Sequence, residues 1–260
     1  MKPSAEPKQV VYGTHAVRQM LSHRPKDVLS LLLVADSDGG SADHFALLAQ
    51  QAGIAPRHVN RGELDRLTES GVHQGVAAVC VPFQYETDPL VPLLLAQKRK
   101  ETPLCLLLDG VTDPQNVGAL LRSACVLGAH GVVLPQDRSA PITKTAIKAA
   151  AGATAVVPIV RVPNLVRAME VQKEAGLWFL AAVAPGQGGR PVWTLDLTVP
   201  LGLLLGGEEK GLRPLVRKHC DLRAEIPMPA LLHGASLNVA SAGAVFLYEC
   251  LRQRSQTITP

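Results

Sequence analysis

Aromatic side chains are scarce: two Trp, three Tyr and four Phe among 260 residues, 3% of the chain. A protein that holds RNA by stacking bases on an aromatic platform would be expected to carry more. Any nucleic-acid affinity must then come chiefly from Lys and Arg contacts to phosphate. Metal chemistry is poorly provided for too. The five cysteines (Cys80, Cys105, Cys125, Cys220 and Cys250) form no CxxC pair, and the eight histidines form no HExxH, so no metal site is expected. Scattered cysteines in odd number are expected to be reduced and structural. The longest apolar runs, such as 104–108 and 201–205, are far too short to span a bilayer. The opening MKPSAEPKQV has no apolar signal core, so a soluble, cytoplasmic chain with no membrane partner is expected.

The common nucleotide motifs are missing as well. There is no GxGxxG, and Gly186-Gln187-Gly188-Gly189 reads as a plain turn. There is no GxxxxGK[ST], since Gly206–Gly211 runs into Leu212. Gly234-Ala235-Ser236-Leu237-Asn238 lacks the last glycine of a nucleophile elbow and has no strand before it. Dinucleotide enzymes, P-loop enzymes and serine hydrolases are thereby set aside. What the chain does have is 47% hydrophobic residues and a net charge of only +4, which excludes global disorder. Residues 1–85 balance 8 Lys/Arg against 8 Asp/Glu, while residues 86–260 hold 18 against 14.

After a tail at 1–9, residues 10–85 read as a small α/β unit. A helix follows Gly13-Thr14-His15, with Val17, Met20 and Leu21 inward; a strand spans 28–35, a helix 44–52 and a closing strand 76–82. Proline-rich 86–103 reads as a linker with one short helix at 92–100. Residues 104–260 then alternate apolar runs with helical periods: strands at 104–108, 131–134, 155–160, 177–183, 201–205 and 222–226, helices at 117–127, 142–151, 165–175, 212–219 and 237–254. That alternation implies an α/β fold with a buried parallel sheet covered on both faces. Ligands in such sheets bind beyond the carboxyl ends of the strands.

Three post-strand clusters stand out. The first runs from Asp109 through Asp113-Pro114-Gln115-Asn116 to Arg122, a turn leading into a helix; alone it also fits an N-cap asparagine and a solvated arginine. The second is Leu205-Gly206-Gly207-Glu208-Glu209-Lys210-Gly211, where glycine admits close approach of a ligand to the backbone, or simply makes a surface turn. The third is Ile226-Pro227-Met228-Pro229 followed by Ser236-Leu237-Asn238, in which Ser236 also fits an ordinary N-cap of the last helix.

Together and in this order, the clusters resemble the three signature motifs of the SpoU family of RNA 2′-O-ribose methyltransferases, part of the knotted SPOUT class. The resemblance covers nearly the whole chain. Val11-Tyr12-Gly13-Thr14-His15-Ala16-Val17 and His73-Gln74-Gly75-Val76 resemble the RNA-binding domain of the RlmB-type branch, whose members methylate a guanosine of large-subunit (23S-type) ribosomal RNA. The resemblance implies an α/β knot, a deep trefoil, at 104–260, an RNA-binding domain at 10–85, and a homodimer with the active site near its interface. S-adenosylmethionine would be held, largely through backbone groups, by Leu205, Gly206, Gly207, Ile226, Met228 and Leu237. The catalytic set carried over is Asn116, Arg122, Glu208, Ser236 and Asn238.

Those residue types suit methyl transfer to a ribose 2′-hydroxyl, which needs positioning and removal of a weakly acidic proton but no metal. A guanidinium is an awkward base. Arg122 is therefore expected to hold an RNA phosphate and make the hydroxyl more acidic. Asn116 and Ser236 would orient Arg122 and the substrate, Glu208 would fix Arg122 or the ribose, and Asn238 would cap the last helix. The chain departs from the family pattern in a longer loop at 227–235, with Ala235 where a polar residue is common. A tRNA ribose methylase, an antibiotic-resistance rRNA methylase and a catalytically inactive RNA-binding chaperone stand as alternatives.

Overall fold

The computed structural model describes residues 8–34, 40–69, 71–229 and 236–256. The turn expected after the 28–35 strand, and residues 230–235 of the long loop, lie mostly or wholly outside them. Contacts divide the chain into two compact units: Met1–Gln84 with Ala151–Val156, and Tyr85–Ala150 with Val157–Pro260.

The first unit runs β1 (Gln9–Tyr12), α1 (Thr14–His23), β2 (Val28–Val34), α2 (Gly40–Gln51), β3 (Pro56–Val59), α3 (Arg61–Leu67) and β4 (Val76–Cys80). Its sheet has the order β1-β4-β2-β3, antiparallel except for the β2–β3 pair. As the spacing predicts, α1 buries Val17, Met20 and Leu21. β3 and α3 were not expected: β3 has only four residues, and α3 buries only Leu64. The two N-terminal motifs meet in space, since Thr14 donates from its backbone N and its Oγ1 to Gln74 Oε1, at 3.0 and 2.9 Å.

The second unit comprises α4 (Val91–Arg99), β5 (Leu104–Asp109), α5 (Pro114–Val126), β6 (Gly131–Pro135), α6 (Lys144–Ala150), β7 (Ile159–Val162), α7 (Leu165–Glu174), β8 (Trp178–Ala182), β9 (Arg190–Pro191), β10 (Leu201–Gly206), α8 (Pro214–Lys218), β11 (Leu222–Glu225) and α9 (Val239–Gln256). All strand pairs are parallel, in the order β7-β6-β5-β10-β8-β11-β9. The leucine runs of β5 and β10 lie side by side at the centre, and every residue of Leu104–Asp109 is buried. Among the described residues, no helix is long and apolar enough to cross a membrane.

Three expectations need correction. The segment read as a linker belongs to the second unit: Glu86 pairs with β7, its N donating to Ile159 O and its O accepting from Arg161 N, at 2.9 and 2.8 Å. The strand expected at 155–160 begins only at Ile159, because Ala151 and Gly152 turn the chain at φ +49° and +94° into a short 3-10 turn at Ala153–Ala155. α5 starts at Pro114, three residues early, because Asp113 Oδ1 accepts from Gln115 N at 2.9 Å and proline fits the first helical position.

The chain reverses its winding at β5 and β10, and a buried carboxylate ties the two post-strand loops there. Asp109, 1% exposed, accepts from Arg213 N at 2.8 Å and from Arg213 Nε at 2.6 Å. Gly207 N donates to Asp109 O at 2.9 Å. Arg213→Ala would leave that carboxylate without its counter-charge and should cost about 3–5 kcal/mol. The double variant Asp109→Leu/Arg213→Ala leaves no orphan charge and should recover part of the loss. Urea unfolding of wild type and both variants measures this; a double variant less stable than Arg213→Ala would show that the charge is not what the pair neutralises.

Candidate functional site

The carboxyl ends of β8, β10 and β11 and the residues before α9 enclose a cavity of about 580 Å³. Leu205, Gly206, Gly207, Ile226, Met228 and Leu237, the six residues expected to hold a cofactor, all line it. So do Glu208, Ser236 and Asn238. The glycines are required by the protein's own backbone. A Cβ on Gly206 would stand 2.1 Å from the Gly211 carbonyl carbon and 2.2 Å from Leu212 N, and one on Gly207 would stand 2.2 Å from Gly110 O. The turn closes through Gly211 N donating to Gly207 O at 2.9 Å, with Gly211 at φ +61°. Room for a ligand was the expected reason for Gly206 and Gly207, but the loop already fills that space at both positions.

A chain of side-chain hydrogen bonds joins three distant segments at the cavity. Asn116 Nδ2 donates to Glu208 Oε1 at 2.5 Å, and Asn238 Nδ2 donates to Asn116 Oδ1 at 3.0 Å. Asn238 Oδ1 in turn accepts from Ala240 N and Ser241 N, at 2.8 and 3.4 Å, and so caps α9. Both amides are fixed in orientation by their partners. The N-cap of α5 is Asp113, leaving Asn116 free for this network. Asn238, not Ser236, caps the last helix.

Arg122 stands apart. It is exposed on α5 and makes no hydrogen bond or ion pair with any described residue. The expected links from Asn116 and Glu208 to Arg122 are absent among the described residues; Glu208 holds Asn116 instead. No described cysteine lines the cavity, and burial pushes the Cys105 and Cys250 thiols up to about 12, so neither offers a thiolate near neutral pH. No cluster of three His, Cys, Asp or Glu suited to a metal occurs among the described residues.

Sequence reasoning missed part of the lining. Ala182, Val183, Ala184, Pro185 and Gln187 line the cavity, although 177–183 read only as a strand and 186–189 as a plain turn. The signal was available, since this loop follows a buried strand beside β10. Arg217 and Phe246 also line the cavity, and nothing in their spacing marks them.

Residues 103–248 match the model of the SpoU rRNA methylase family, and residues 10–86 match that of RNA 2′-O ribose methyltransferase substrate binding. The chain is 38% identical to the 23S rRNA (guanosine-2′-O-)-methyltransferase RlmB of Photorhabdus laumondii, covering 95% of this chain and 99% of that protein. It is 41% identical to the protein of the same name from Pseudomonas aeruginosa, covering 94% and 96%. The crystal structure of the SpoU methyltransferase AviRb from Streptomyces viridochromogenes, in complex with AdoMet, superposes with a TM-score of 0.76 at 27% identity, covering 96% of this chain and 91% of that one. A methylase model spanning more than half the residues, and relatives aligned almost end to end, make this chain a member of the SpoU rRNA methylase family.

Proposed function

We propose that this chain transfers a methyl group from S-adenosylmethionine to the ribose 2′-hydroxyl of a guanosine in 23S-type ribosomal RNA. The observation that carries the reading is the Glu208–Asn116–Asn238 network at the rim of a cavity lined by all six expected cofactor residues. The relatives' names supply the nucleotide and the RNA. That substrate makes the cytoplasm its working compartment.

The cavity fits the cofactor. Its volume lies within the range of small-molecule sites. Ile226 and Leu237 offer apolar surface to an adenosine, backed by the buried Leu205 and Phe246. When bound, S-adenosylmethionine supplies an electrophilic methyl group on a sulfonium. The protein must bring the 2′-oxygen in line with that methyl and let its proton leave. Glu208 spends Oε1 on Asn116 and keeps Oε2 for the ribose. Asn116 and Asn238 hold that carboxylate in one orientation, and Ser236 stands beside them to contact substrate.

Arg122 would grip the RNA phosphate next to the reacting ribose and make its hydroxyl more acidic. Its isolation from the network supports a homodimer in which it works across the interface. Val126 on α5, 73% exposed, and Val245 and Tyr248 on α9, 40% and 57% exposed, give these two packed helices an apolar outer surface. Residues 104–260 would carry the family's α/β knot. Residues 10–86 would bind the RNA, with Thr14 and Gln74 at the junction of its two motifs.

Three variants and one strain test this reading. Arg122→Ala should slow single-turnover methylation of transcribed rRNA fragments roughly a thousandfold while leaving S-adenosylmethionine affinity intact. Arg122→Lys should rescue little, since a point charge cannot replace the guanidinium fork; near wild-type activity would refute the clamp. Gly206→Ala should lose cofactor binding and melt at a lower temperature, because its Cβ would collide with the backbone of Gly211; unchanged calorimetric affinity would overturn the site. Mapping 2′-O-methyl positions in a deletion strain should reveal one missing rRNA guanosine. A missing tRNA methyl instead, or none, would favour the tRNA methylase or the chaperone.

A further inference from the structure

The ionisable residues lining the cavity are Glu208, Glu209, Lys210 and Arg217. Glu208 is committed to Asn116. Lys210 and Glu209 are exposed, on the turn that closes β10. Arg217 differs from both. It is half-buried, it sits on α8 one turn beyond Arg213, and its side chain has no hydrogen-bond or ion-pair partner among the described residues.

The contrast between the two arginines is informative. The charge of Arg213 is answered by Asp109, which accepts from its Nε and also from its backbone N. No described carboxylate answers the charge of Arg217, although it is partly withdrawn from water and faces a cavity. A cation so placed lacks compensation unless an anion comes to it. A guanidinium in particular presents paired N–H groups that match the two oxygens of a carboxylate.

S-adenosylmethionine carries one group of that kind, the carboxylate of its amino-acid end. Glu208 and Glu209 would repel it. We infer that Arg217 is the residue that binds the cofactor's carboxylate, so that the methionine end lies toward α8 while Glu208 and Asn116 face the transferring methyl. This rests on the proposed cofactor. It adds a charged anchor to a site otherwise expected to work through backbone groups, and it assigns the cavity a direction.

Isothermal titration of the full chain tests this with three ligands. S-adenosylmethionine and S-adenosylhomocysteine both keep the carboxylate; decarboxylated S-adenosylmethionine lacks it but keeps the adenosine and sulfonium. Arg217→Ala should weaken the first two by roughly ten- to a hundredfold, the range for a charge-assisted contact, and leave the third unchanged. Arg217→Lys should fall between, because it keeps the charge without the fork. Added salt should weaken the two carboxylate ligands more in wild type than in Arg217→Ala. Equal loss for all three ligands would overturn the inference, as would unchanged binding of S-adenosylmethionine. Wild-type protein that binds none of them would overturn the proposed cofactor and this inference with it.

Discussion

A single buried carboxylate organises the functional end of the second unit. Asp109 ends the central strand β5, where a charge would ordinarily be expelled, and it is retained because Arg213 supplies both a backbone and a side-chain donor. Arg213 lies just past the β10 turn. The pair therefore fixes the loop after β10 against the loop after β5, at the point where the sheet reverses its winding. Gly207, whose N binds Asp109 O and whose α-carbon faces Gly110 O, completes the joint. Every residue of the cavity rim contributed by β10 inherits its position from this contact.

Onto that joint is built a network that no single segment could make. Asn116 comes from the first turn of α5, Glu208 from the turn after β10, and Asn238 from the cap of α9. The cap is the quiet part of the design: a helix needs its first N–H groups satisfied in any case. Asn238 uses one end of its amide for that purpose and the other for Asn116. The cap of α9 and the proposed active-site network thus share one side chain, and the orientation of Glu208 follows from where α9 begins.

The parallel sheet was legible because β5 and β10 are unbroken apolar runs, which only a strand buried on both faces tolerates. The cavity residues were legible through motif resemblance; the physics of their own neighbourhood offered plain turns as equally good readings. Short elements escaped. β3 and α3 have four and seven residues with little apolar content, too few for a period to show. The late start of β7 turns on positive φ angles at Ala151 and Gly152, and alanine gives no hint of such a conformation. The early start of α5 could have been read from Asp113-Pro114, a cap followed by the residue that suits the first helical position. Arg217 stayed hidden because its proposed role rests on its having no partner among the described residues, and sequence does not display absences in space.

The position of β10 beside β5 has a consequence for how the molecule comes into being. The two central strands, Leu104–Asp109 and Leu201–Gly206, are separated in the chain by four other strands and the helices among them. At about 5–20 residues per second, synthesis leaves the leucines of β5 waiting on the order of five to twenty seconds for their neighbour. During that interval β5 has only β6 on one side, and its other edge is an unpaired apolar strand, the kind of surface that recruits wrong partners. Asn238 arrives later still, so Asn116 and Glu208 can be locked only after every strand of the sheet has been made. Folding of the second unit is consequently a late event with high contact order.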